Sequence, residues 1–113
     1  MCTKATLDEL LKRFRKEAEK LFGDKLEEMI LYGSYARGDN TEESDIDVMI
    51  IADIPMSEEI KCTGSLTNTV VDFDLEYDVV LSVIVESKEK YEKYKTINPL
   101  FVNVEKEGIK IAA

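Results

Sequence analysis

Histidine is absent from this chain of 113 residues, and that absence alone removes two kinds of chemistry. A nucleophile relayed through an imidazole cannot be built, and neither can a His-ligated zinc site. Cysteine is scarce. Cys2 and Cys62 match no CxxC or zinc spacing, so two reduced thiols are expected. Long apolar runs are lacking too. The longest, Val48 to Ala52, is far too short to cross a bilayer, and the opening MCTKATLDEL has no apolar segment of the signal-peptide kind. A cytoplasmic protein without membrane contact is the expectation. Positive charge is in deficit: 15 Lys and Arg against 24 Asp and Glu give a formal net charge of −9. Nothing suggests the basic patch of a nucleic-acid binder, so direct nucleic-acid binding is not expected. A polyphosphate ligand would be repelled unless metal cations neutralised the contact locally.

What is present reads as one domain spanning residues 1–113, with 44% apolar and 35% charged residues. A first helix is predicted from Thr6, with Thr6 and Glu9 as a capping box. Leu7, Leu10, Leu11, Phe14, Ala18, Leu21 and Phe22 recur at helical spacing, and Gly23 supplies the stop. Met29–Tyr32 reads as a short strand, followed by a mostly polar stretch from Tyr35 to Ser44. Ile46–Ala52 reads as a second strand, and its continuous apolar run predicts cover on both faces. Pro55 and Ser57 mark a turn. Glu58 to about Tyr77 reads as a helix with Leu66, Val70, Phe73 and Tyr77 on one face. Asp78–Val85 reads as a third strand, although Phe73, Leu75, Tyr77 and Val79 also fit strand alternation. A short helix from Ser87 to about Lys95 follows. Asn98-Pro99 opens a last helix that stops at Gly108, and Ile109–Ala112 can add an edge strand. This order implies an α/β (α+β) fold: a small mixed sheet of three to four strands with helices packed on it.

The chemistry concentrates in LYGSYARGDNTEESDIDVMI, Leu31 to Ile50. Gly33-Ser34 follows a strand directly. A glycine there lets backbone approach a ligand, N–H groups at a following helix start can face an anion, and Ser34 adds a hydroxyl. Asp45 and Asp47 stand two apart at the start of an apolar strand, so they share one face about 6.6–6.8 Å apart. Two such charges call for a cation, and hard oxygen ligands suit Mg²⁺; a solvated strand end is the alternative. If the third strand lies beside the second, Asp78 can join them, and three carboxylates around two cations would suit in-line displacement at phosphorus. Arg37 is the single cation between Lys25 and Lys61, fit for a phosphate or for a surface salt bridge to Asp39, Glu42 or Glu43. A calcium loop is excluded, because Ser44 stands where its sixth-position glycine is required. No P-loop lysine motif or GxGxxG occurs.

Tyr32-Gly33-Ser34, a ten-residue spacer and Asp45-Ile46-Asp47-Val48, in the fuller form GSYARGD with SDIDVMI, resemble the DNA polymerase β-like nucleotidyltransferase superfamily. The closest resemblance is to its small branch, the minimal nucleotidyltransferases, and it extends to YEKYKTINPLFVNVEKEGI. The resemblance implies that Gly33 and Ser34 hold the triphosphate, with Arg37 on phosphates. It implies Mg²⁺, as two ions, on Asp45 and Asp47, with Asp78 as the third carboxylate; Asp72, Asp74 and Glu76 are close alternatives. It further implies transfer of AMP from ATP onto a hydroxyl of a partner, in that branch a tyrosine of a HEPN-type toxin neutralised by its antitoxin. The acceptor would then come from a partner or from another copy in a homo-oligomer. A non-catalytic module that neutralises a partner by contact is the competing expectation, and a small-molecule modifier of the aminoglycoside type a weaker one.

Overall fold

In a computed structural model of the chain, residues 2–112 are described. Helix α1 (Lys4–Phe22) starts one residue after Thr3, whose side chain accepts from the Thr6 N–H at 3.2 Å. The cap is therefore Thr3 and not Thr6. A hydroxyl caps by reaching the N–H groups ahead of it, and Thr3 lies outside the helix while Thr6 lies within it. Leu7, Leu10, Leu11, Phe14, Ala18 and Phe22 are buried, whereas Leu21, predicted on the same face, is exposed. Gly23 ends the helix as expected, and residues 23–25 form a 3₁₀ turn.

Strand β1 (Leu26–Tyr32) starts earlier than its apolar part suggested, because Leu26 pairs with Ala52 across an irregularity. A one-turn helix α2 (Ser34–Arg37) occupies the start of the stretch expected to be polar and irregular. Strand β2 (Ile46–Ala52) has the predicted bounds. The predicted single helix over residues 58–77 is instead a 3₁₀ turn (Met56–Glu58), α3 (Glu59–Ser65) and α4 (Thr67–Tyr77), separated at Leu66. Thr63 and Ser65 donate their hydroxyls back to the carbonyls of Glu59 and Lys61, at 2.9 and 3.0 Å, which loosens a helix at that point. Leu66 and Phe73 are buried as predicted, and Val70 and Tyr77 pack partly against the core.

The third strand begins later than expected. Asp78 does not open it but ends α4 in a left-handed conformation (φ 54°, ψ 53°), its N–H bonded to the Asp74 carbonyl. Strand β3 runs Leu81–Ser87, with Asp74 Oδ1 accepting from the Leu81 N–H at 2.8 Å. Helices α5 (Lys88–Tyr94) and α6 (Pro99–Glu107) follow, capped by Ser87 and Asn98, and β4 (Ile109–Lys110) closes the order as a short strand.

The sheet order is β3-β2-β1-β4, with β2 parallel to β3 and antiparallel to β1, and β4 antiparallel to β1. Alternation along β2 sends Ile46, Val48, Ile50 and Ala52 to one face, into a layer with α1 and α4. Phe14 of α1 meets Phe73 of α4 there edge to face, centroids 5.4 Å apart. Asp47, Met49 and Ile51 take the other face, where Met49 and Ile51 pack with Ile30, Tyr91, Phe101 and Val104 under α5 and α6. The unbroken apolar run of β2 is thus covered on both sides. Among the described residues no helix is long and apolar enough to cross a membrane.

Candidate active site

The turn between β1 and α2 lies against the start of β2. Tyr32, the last residue of β1, pairs with Asp47, so Gly33 enters the turn beside the Asp47 carboxylate. Gly33 has φ 74° and ψ −155°, and a Cβ built on it would stand 2.3 Å from Asp47 Oδ2. Both facts require glycine: the backbone region is closed to side-chain-bearing residues, and the space is taken by the acid. The Gly33 carbonyl accepts from the Ala36 and Arg37 N–H groups at 3.1 Å each, and the Ser34 carbonyl from Gly38 and Asp39 at 2.9 and 3.1 Å. None of these bonds uses the N–H of Ser34 or Tyr35. Gly38, also at positive φ, ends the turn.

Asp45 and Asp47 precede and follow Ile46 on β2 and share one face. Asp45 is exposed and Asp47 half-buried. Burial raises the Asp47 carboxyl above the usual carboxylate range, the negative charge of Asp45 raises it further, and Arg37 pulls the other way. The folded state therefore holds a proton on Asp47 more tightly than the unfolded chain does. Its contribution to stability is present below the ordinary carboxylate pKa and is lost as pH rises through the raised value. Divalent-cation affinity should fall on acidification at a higher pH than for an ordinary exposed carboxylate pair. Calorimetric Mg²⁺ titrations across pH 4–7 measure this, and a pH-independent affinity would oppose it.

The walls of the site are Tyr32, named in the sequence only as the opening of its motif, and Ser82, which sequence reasoning did not single out. Tyr32 is half-buried on the Asp47 face, and its hydroxyl pKa is pushed up to about 12, first by burial and then by Asp47 and Glu86. On the other side Ser82 of β3 pairs with Asp47 in the parallel ladder. Only strand register reveals these neighbours, and register is a long-range property. The position beside Asp47 on β3 is thus a serine, not an acid. Asp78, expected there, stands at the end of α4, three residues before β3 begins. Among the described residues no three His, Cys, Asp or Glu side chains form a group that could hold a metal ion. Asp72, Asp74 and Glu76 also lie on α4, not on a strand. Asp74 is engaged with the Leu81 N–H, and Glu76 binds Arg13.

Arg37 pairs with Asp39 (3.2 Å) and with Glu107 at the end of α6 (3.0 Å). The salt bridge to Asp39 was among the sequence alternatives, while the one to Glu107 joins positions distant in the chain. A cavity of about 860 Å³ lies behind the turn, lined by Leu7, Leu11, Leu31, Tyr35, Ala36 and Ile111 among others. Leu31 points to the α1 layer and Tyr32 to the opposite one, so this cavity is on the other side of the sheet from Asp47.

What remains is a pair of carboxylates whose mutual repulsion and partial burial favour a cation, set against a serine turn whose Ser34 and Tyr35 N–H groups make no bond to the described residues outside the turn. Hard oxygen donors of this kind fit Mg²⁺, which typically takes one or two carboxylates and completes its shell with water and phosphate oxygens.

Comparison with known proteins shows the family. The family model of the nucleotidyltransferase domain matches residues 11–110. A candidate protein adenylyltransferase of Methanocaldococcus jannaschii is 35% identical over 104 residues, covering 91% of this chain and 96% of its own length. A second from the same organism is 39% identical over 87 residues, 76% of this chain and 79% of its own. Among solved structures, a nucleotidyltransferase-like protein of Sulfolobus solfataricus superposes with a TM-score of 0.56 at 20% identity, over 91% of this chain and 77% of its own. A variant of the toxin–antitoxin complex MntA–HpeT gives 0.52 at 14% identity, over 90% and 73%. These structural likenesses establish the polymerase β-like fold. The match across residues 11–110, which takes in the serine turn and the two carboxylates at the start of β2, makes this chain a member of the nucleotidyltransferase domain family.

Proposed function

We propose that the chain transfers AMP from ATP onto a hydroxyl of a partner protein, with Mg²⁺ held by Asp45 and Asp47. The observation that supports this reading is the closeness of the Gly33 turn to the Asp47 carboxylate, against which a Cβ built on Gly33 would stand at 2.3 Å. Ser34 and the N–H groups of Ser34 and Tyr35 would hold the triphosphate. Arg37 would turn from Asp39 and Glu107 toward phosphate oxygens. Bound Mg²⁺ supplies neutralisation of the phosphate charge and polarisation of the reacting phosphoryl group.

The acceptor oxygen forms a bond to the α-phosphorus as the bond from that phosphorus to the bridging oxygen breaks. Pyrophosphate leaves, and the hydroxyl proton passes to a carboxylate of the pair or to water. Asp78, at the end of α4, would serve as a third carboxylate. Tyr32 stays protonated through the neutral range and forms an apolar wall with a neutral hydroxyl.

The relatives from M. jannaschii bear the name of protein adenylyltransferases, which supports a protein acceptor. The likeness to the toxin–antitoxin complex MntA–HpeT supports an antitoxin role, and the sequence resemblance implies that the toxin would be of HEPN type. The net charge of −9 suits a basic partner. One domain carries these functions, in the cytoplasm.

The test is incubation with Mg²⁺, a co-purified partner and ATP labelled on either the α- or the γ-phosphate. The α-label should move to the partner with a mass gain of one AMP, and the γ-label should not. Transfer of the γ-label, or none of either, would refute the reading.

A further inference from the structure

Arg37 is already engaged by two acids. Its Nε donates to Asp39 Oδ2 at 3.2 Å and its Nη1 to Glu107 Oε1 at 3.0 Å. The two acids differ in how firmly they are held. Asp39 follows Arg37 by two residues and its side chain is 62% exposed. Glu107 is the last residue of α6, and its side chain is 25% exposed.

The backbone behind Glu107 is fixed. The Gly108 N–H donates to the Val104 carbonyl at 2.9 Å. A Cβ built on Gly108 would stand 2.3 Å from that carbonyl oxygen and 2.6 Å from Ile30 Cγ2, so the end of α6 is pressed on β1. Ile109 then pairs with Leu31 at once. Arg37, by contrast, ends a helix of one turn and carries its charge on a long, exposed side chain. Of the two partners, Glu107 is the fixed post and Arg37 the part that can swing. The Arg37 charge also reaches the acid pair, since it draws the Asp47 carboxyl downward.

A guanidinium grips a phosphate best with two parallel N–H groups along one edge. One such edge includes Nε and the other includes Nη1. Both nitrogens are engaged here, so a two-point grip on a phosphate competes with Asp39 at one edge and with Glu107 at the other.

We propose that Glu107 is a positioning residue that acts through Arg37, holding the guanidinium while the nucleotide site is empty and yielding it to the triphosphate. The inference rests on the functional reading above and adds what the nucleotide must displace. It also gives the site a way back. As pyrophosphate leaves, Glu107 recaptures Arg37, so the same acid that opposes substrate binding favours product release. The pair is partly exposed, so the effect is several-fold and not several decades.

The test is calorimetric titration of a non-hydrolysable ATP analogue and of pyrophosphate, each with Mg²⁺. The proteins are the parent, Glu107→Gln, Glu107→Asp, Arg37→Ala and the Arg37→Ala, Glu107→Gln double variant. Glu107→Gln should bind both anions about three- to fivefold more tightly than the parent. Loss of a negative charge would also favour an anion, and two variants separate the causes. Glu107→Asp keeps the charge but is one methylene shorter, so it should release Arg37 and tighten binding as glutamine does. In the Arg37→Ala background, Glu107→Gln should bring no gain, because the residue it acts through is gone.

Unchanged binding by Glu107→Gln overturns the proposal. Weaker binding also overturns it, since Glu107 would then hold Arg37 in its working place. Parental binding by Glu107→Asp, or a gain that persists without Arg37, assigns the effect to charge alone and is likewise against it. Binding is read without transfer. A parent that shows the coupling but moves no AMP refutes the catalytic reading and leaves the exchange at Arg37 standing. A parent that binds neither anion overturns both.

Discussion

Asp47→Asn is expected to reduce nucleotide transfer on the order of a thousandfold or more, while the ligand-free protein keeps its fold and loses no stability. A metal acting as Lewis acid is worth several kcal/mol, and each 1.36 kcal/mol is a decade in rate, which gives roughly three decades. The stability half of the prediction has a separate origin. Asp47 is half-buried beside Asp45 and binds its proton more tightly than in the unfolded chain, so its charged form costs stability at neutral pH. Solvent screening keeps that cost to no more than about 1 kcal/mol. Asparagine removes it, so the variant should melt at or slightly above the parent at pH 7. The difference should vanish at a pH low enough to protonate Asp47 in the parent. Thermal melts at pH 7 and pH 4, set beside transfer of α-labelled phosphate, check both halves. A variant that transfers at the parental rate would remove Asp47 from the chemistry.

Gly33→Ala should damage both folding and activity, and Gly38→Ala only folding. Both glycines have positive φ, 74° and 83°. Gly38 lies in the ordinary left-handed region with open space around it, so alanine there should cost on the order of 1 kcal/mol. Gly33 combines φ 74° with ψ −155°, a region essentially reserved for glycine, at a cost of about 1–3 kcal/mol. Its new methyl would also stand 2.3 Å from Asp47 Oδ2, so the carboxylate must swing away from the turn. Displacement of about an ångström at a reacting centre costs on the order of a hundredfold in rate. Melting temperatures of the two variants should both fall, while only Gly33→Ala loses transfer and metal affinity together. Equal activity of the two would mean that the turn does not position the acid.

Much of the frame was legible in the chain because several local signals coincided. Strand β2 has its predicted bounds: an apolar run between Asp45 and Asp53 can only be a short strand covered on both faces. Asn98, Pro99 and Gly108 punctuate α6 unambiguously. The turn and the acid pair were legible for a different reason, since their spacing alone put Asp45 and Asp47 on one face.

The errors fell where local pattern was ambiguous and packing decided. Phe73, Leu75, Tyr77 and Val79 satisfy strand alternation, while Leu66, Val70, Phe73 and Tyr77 satisfy a helix. Phe73 seated on Phe14 settles the helix, which carries Asp78 to its end and away from β3. Tyr32 and Ser82 flank Asp47 through register, and Glu107 reaches Arg37 through the folding of α6 onto β1. None of these pairings leaves a local trace.

The account turns on whether Gly33-Ser34 and the Asp45–Asp47 pair together make a metal-dependent triphosphate site. Isothermal titration of a non-hydrolysable ATP analogue, with and without Mg²⁺, tests this in the parent and in the Asp45→Asn, Asp47→Asn double variant. Saturable binding in the parent only with Mg²⁺ present, and none in the double variant, is the predicted result. Binding of equal strength without metal, or retained by the double variant, would contradict it.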